Sequence, residues 1–107
     1  MMTVNPWVLV FLAGLLETGW ALGLKYSEGF TKPLPTAAAI LGAIASFWLL
    51  SLAMKDLPVG TAYAVWVGIG MVGTAIMAVI WLGEPVNTLR VAGIVLIVAG
   101  IAALKLA

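Results

Sequence analysis

A chain of 107 residues that is 64% apolar and 8% charged, with a mean hydropathy of +1.23, has too little polar surface to cover a water-soluble domain. It contains no cysteine and no histidine, so disulfides, thiolate chemistry and most soft-metal sites are excluded, and no metal, cofactor or enzymatic apparatus is expected. A net charge of +1 offers no basic patch for nucleic acid.

Apolar runs of about 20 residues, enough to span a bilayer core, recur four times. They are predicted at 6–26, 34–54, 58–82 and 85–105, forming a single four-helix transmembrane domain over 1–107. Segments this long must satisfy their backbone amides inside hydrocarbon, so they read as helices. The breaks carry turn and helix-start residues: Lys25 to Pro35, Lys55 to Pro58, and Gly83 to Asn87.

The first run is expected to stay in the mature protein. Met1 to Asn5 carry no Lys or Arg, and the run is longer than a signal-peptide core. It also contains Glu17. The other charged residues, Lys25, Glu28, Lys32, Lys55, Asp56, Glu84, Arg90 and Lys105, edge the apolar blocks, whereas Glu17 lies near the predicted midplane. A carboxylate there costs roughly 2.5–3.5 kcal/mol, which points to a functional group, the alternative being a neutral acid that glues helices together. Ala13, Gly14 and Ala21 share its face and leave space, and Trp20 borders it.

In the second run Ser46 is the mid-membrane hydroxyl, one turn from Gly42 on the same face and placed to bond a carboxylate. The third run, at about 37 Å if straight, exceeds what the bilayer requires and must tilt or bend. Gly68 and Gly70 offer a bend or, equally, a close approach of neighbouring helices. Tyr63 and Trp66 lie too deep for an interfacial belt. In the fourth run Ala92, Gly93, Ala99 and Gly100 form a small-residue stripe, read as a seam with a second copy in preference to packing within the chain.

Alternating helices put Lys55 and Lys105 on one side and Lys25, Lys32 and Arg90 on the other. A margin of one positive residue barely biases insertion, so both orientations and an antiparallel homodimer are expected. Aromatic rings around a carboxylate suit an organic cation. Protonation would remove the charge that holds the cation. Competition between the two is the physical core of an antiporter whose site faces one side at a time.

These residues resemble, over the whole chain, the small multidrug resistance family of proton-coupled exporters. The likeness is carried by Gly14-Leu15-Leu16-Glu17, Trp20-Ala21, Gly23-Leu24-Lys25-Tyr26-Ser27, Gly29-Phe30-Thr31 and the run from Lys55 to Trp66. Trp20 and Lys55 point within it to guanidinium exporters. The resemblance implies an all-α, dual-topology antiparallel homodimer in the bacterial inner membrane, exchanging guanidinium for protons at paired glutamates. Glu17 would bind substrate and proton, Ser46 and Trp20 would orient the glutamates, and Tyr63 and Trp66 would line the site with Gly14 and Gly42. Gly68 and Gly70 would form the helix bend, and Gly93 and Gly100 the dimer seam. Val67 and Thr18-Gly19 depart from the family pattern beside the site. Two rivals remain: a broader exporter of quaternary ammonium cations, and a non-transporting membrane subunit in which Glu17 is structural.

Overall fold

The computed structural model describes residues 4–107. Its helices are α1 (Pro6–Ser27), α2 (Pro33–Ala53), α3 (Val59–Leu82) and α4 (Thr88–Leu106), each long and apolar enough to cross a membrane. The first three begin and end within a residue of the predicted bounds.

The fourth starts three residues later than expected. Gly83 ends α3 in the left-handed conformation, φ 68°, and the Glu84 amide turns back to the Ala78 carbonyl at 3.2 Å. The chain is thus still closing α3 where Pro85 was expected to open α4. Asn87 opens it instead, its side-chain oxygen accepting from the Arg90 amide at 2.9 Å. At the start of α1, Asn5 likewise accepts from the Trp7 amide at 2.8 Å, with Pro6 in the first turn.

The α1–α2 turn is strained and heavily bonded. Glu28, Gly29 and Phe30 all have positive φ, which costs of order 1 kcal/mol for each of the two with side chains. Buried Ser27 holds the turn: its hydroxyl donates to the Leu24 carbonyl at 2.8 Å and accepts from the Phe30 amide at 3.2 Å, while its carbonyl accepts from Thr31 and Lys32.

Helix α1 lies in the middle, against α2 on one side and α3 on the other, and α4 packs mainly on α3, with Lys105 Nζ 5.3 Å from the centre of the Trp7 ring of α1. The core is gathered at one end of the bundle. Leu9, Val10 and Ala13 of α1 meet Leu50 and Ala53 of α2 and Ala62, Val65 and Trp66 of α3. The result is a slab 38 × 36 × 17 Å, less than two helix diameters thick. It exposes 6752 Å², where a compact soluble chain of 11.1 kDa would expose roughly 5,700 Å². No α4 residue is buried.

Candidate functional site

Beyond the core, the second halves of α1 and α3 border a groove that holds Glu17. One edge of the groove, of about 420 Å³, is Glu17 with Ala21 on α1; the other is Val67, Gly70, Met71 and Thr74 on α3. The Glu17 carboxylate rests on Gly70, where any β-carbon would overlap it. The next residue, Thr18, donates to the Gly70 carbonyl at 3.2 Å and fits over Gly73. Glycines at 70 and 73 therefore form a notch that seats Glu17 and Thr18 side by side.

An aromatic chain crosses the three packed helices nearby. Trp20 meets Phe47 edge-on with ring centroids 6.1 Å apart, Phe47 meets Trp66 at 5.7 Å, and Trp66 meets Tyr63 at 5.6 Å. Trp66 is buried, whereas Tyr63 is exposed. The Trp66 indole donates to Ser46 Oγ at 2.9 Å, and the Ser46 hydroxyl donates to the Ala13 carbonyl at 2.7 Å. That hydroxyl is fully buried and ties all three helices at the level of the site.

Several sequence expectations are revised by this geometry. Ser46 does not bond Glu17, because its one proton is committed to the Ala13 carbonyl and its oxygen accepts from Trp66. Trp20 makes no bond to Glu17 either. Gly14 and Gly42 leave no open room: a β-carbon at Gly14 would meet Ile69 Cγ2 at 2.6 Å, and one at Gly42 would meet Trp20 Cβ at 3.2 Å. Both admit a neighbouring side chain in a membrane interior, where helices gain by close packing. Of the two readings of Gly68 and Gly70, close approach has contacts behind it, Ile101 of α4 against the first and Glu17 against the second. Gly93 and Gly100 have nothing within 4 Å of where a β-carbon would stand.

Three buried side-chain polar atoms among the described residues lack a hydrogen-bond partner: Glu17 Oε1, Trp20 Nε1 and Thr36 Oγ1. Two of them lie three residues apart on α1. Glu17 lies against Gly70 of α3 and Trp20 against Gly42 and Phe47 of α2, so an acceptor and a donor lack partners among the described residues, although orphaned polar atoms are rare in folded proteins. The departures noted in the sequence fall here as well. Val67 lines the groove and Thr18 grips α3, whereas Gly19 has no neighbour within 4 Å.

Phe47 and the seat at Gly70 escaped the sequence reading. Phe47 is one more apolar residue in an apolar helix, and nothing marks it. The seat had a signal, the Gly70-x-x-Gly73 spacing on one face of α3.

Residues 5–97 match the family described as Small Multidrug Resistance protein. The chain is 52% identical over 101 residues to a protein of Yersinia pseudotuberculosis named Guanidinium exporter, spanning 94% of this chain and 97% of that one. Proteins of the same name from Escherichia coli K12 and Proteus vulgaris are 53% and 54% identical, each over 94% of this chain and over 95% and 97% of their own length.

Proposed function

Because the chain belongs to the Small Multidrug Resistance family, a multi-pass protein of the bacterial inner membrane, we propose that it is a proton-coupled antiporter exporting guanidinium and small substituted guanidinium ions. The orphaned pair Glu17 Oε1 and Trp20 Nε1 carries this reading. A carboxylate oxygen in apolar surroundings calls for a donor, which either a proton or a guanidinium N–H supplies. The indole calls for an acceptor, which the carboxylate of a second copy would provide. A proton on Glu17 removes the charge that attracts the cation, so the two ligands exclude each other. Coupling follows if the site opens to one side at a time, with Gly68 and Gly70 absorbing any flexing of α3.

A second copy is favoured by the shape of the chain. The slab exposes about a fifth more surface than a compact chain of its mass, α4 is bare, and Gly93 and Gly100 leave an open strip along it. In an antiparallel homodimer that strip would be the seam, and two Glu17 side chains would share one cavity bordered by Trp20, Tyr63 and Trp66. The nearly balanced positive charges favour such pairing. A reporter fused at the carboxyl terminus should be found on both sides of the membrane, and two lysines added after Ala107 should displace the distribution toward one side. A single orientation of the unmodified protein would rule out the antiparallel pair.

Substrate choice separates the guanidinium reading from export of quaternary ammonium cations. Guanidinium donates from every nitrogen in one plane, whereas tetramethylammonium has no N–H and would leave desolvated carboxylate oxygens unpaired. If the two Glu17 carboxylates exchange two protons for each singly charged cation, transport moves net charge, so proteoliposomes should give electrical currents with guanidinium and methylguanidinium and none with tetramethylammonium. Currents of equal size with tetramethylammonium would replace this reading with the broader exporter. Neither current nor proton movement with any cation would replace it with a structural role for Glu17.

A further inference from the structure

The groove that holds Glu17 runs along α3 past Ala75 and Ala78 and ends at Glu84, the other acidic residue in its lining. Glu84 follows the end of α3 and is half-exposed, its side chain retaining 42% of its accessible surface. Its Oε1 accepts from Arg90 Nη2 at 3.1 Å, while Arg90 Nη1 donates to the Pro85 carbonyl at 2.8 Å. The carboxylate is thus occupied by a guanidinium group belonging to the chain itself. Exposed pairs of this kind are weak and exchange readily with ions of the same chemistry.

We propose that Glu84 is an outer cation station at the mouth of the groove, where the Arg90 guanidinium holds the place that a guanidinium ion takes in passage to or from Glu17. The ligand class rests on the proposed substrate. The mouth requires a local carboxylate because its surroundings are not otherwise inviting to a cation. Lys25 stands one turn beyond Ala21 on the same face of α1, and Glu28 is drawn to Lys32 at 3.7 Å. The carboxyl end of α3 contributes the negative end of its dipole to the same place. A cation that loses most of its water between apolar walls gains from a carboxylate at the threshold, and one already paired with a guanidinium has its planar recognition in place.

Distance separates the station from the central site in function. From Gly70 to Leu82 the helix rises about 18 Å, far beyond the reach of any direct contact between Glu84 and Glu17. Glu84 is therefore expected to govern capture from solution and to leave events at Glu17 largely unaffected. In an antiparallel pair each membrane face would carry one such station.

The test is KM and maximal rate of guanidinium transport in proteoliposomes for Glu84→Gln and Arg90→Gln, each at low and high ionic strength. Glu84→Gln should raise KM about threefold or more at ~20 mM salt, with the increase shrinking at ~300 mM and the maximal rate nearly unchanged. Arg90→Gln frees the carboxylate and should lower KM. A pair that merely braces the α3–α4 turn would move both variants in the same direction, and that result, or an unchanged KM in Glu84→Gln, overturns the station alone. Absence of guanidinium current in the unaltered protein would overturn the substrate reading, and the station with it.

Discussion

Glu17→Gln should abolish guanidinium-driven proton movement while the protein still inserts and dimerises. Glutamine keeps the shape of the side chain and a polar end, so the seat on Gly70 remains filled. It cannot ionise, and its amide offers guanidinium one neutral acceptor where the carboxylate offers two charged ones. Hydrogen bonds to charged groups contribute about 1.5–3 kcal/mol each, so losing the charge on both copies of the proposed pair should reduce substrate binding about a hundredfold or more. Proton release is lost outright. The same chemistry fixes the sign of the pH response: acidifying the side on which the cation is bound should expel it, because a protonated Glu17 no longer attracts it. Proton uptake driven by a guanidinium gradient reads both effects, and gel filtration with cross-linking reads assembly. Coupled transport surviving in the glutamine variant would remove Glu17 from the mechanism.

The parts of this fold that were legible from sequence are those governed by hydrocarbon. Twenty-residue apolar runs broken by Pro, Gly and charge located α1 to α3 to within a residue, since a bilayer tolerates few other solutions. The start of α4 was misplaced because Pro85 and Asn87 both signal a helix start, and which prevails depends on how Gly83 and Glu84 close α3. Glu17 was legible by its cost. Its seat was not, because helix periodicity tells which residues share a face and not which faces meet. Ser46 illustrates the difference. Its depth suggested a bond to Glu17, yet the backbone carbonyl of Ala13 lies within reach and the Trp66 indole needs an acceptor, so the hydroxyl satisfies both. The same limit applied to Gly14 and Gly42, which sequence presents as room and the fold fills with Ile69 and Trp20.

Gly70→Ala should leave folding and dimerisation nearly intact and cut guanidinium exchange about tenfold or more, the loss expected when one charge-assisted hydrogen bond is displaced. The added methyl would overlap the Glu17 carboxylate and lie 2.6 Å from Glu17 Cγ, and no backbone atom is among its nearest neighbours. The far end of a flexible side chain can turn aside at modest cost, so helix packing survives and the carboxylate moves. Alanine also favours helix over glycine by about 1 kcal/mol, which offsets part of the strain. Gly73→Ala is the informative comparison. Its methyl would displace the Thr18 hydroxyl and weaken the bond to the Gly70 carbonyl, without touching Glu17 directly. If glycine at these positions served only to let α1 and α3 approach, both variants would lose thermal stability and activity together. Seating of the carboxylate instead requires Gly70→Ala to lose exchange with its melting temperature nearly unchanged, and to lose more of it than Gly73→Ala. Wild-type exchange in Gly70→Ala would mean that Glu17 works from another position.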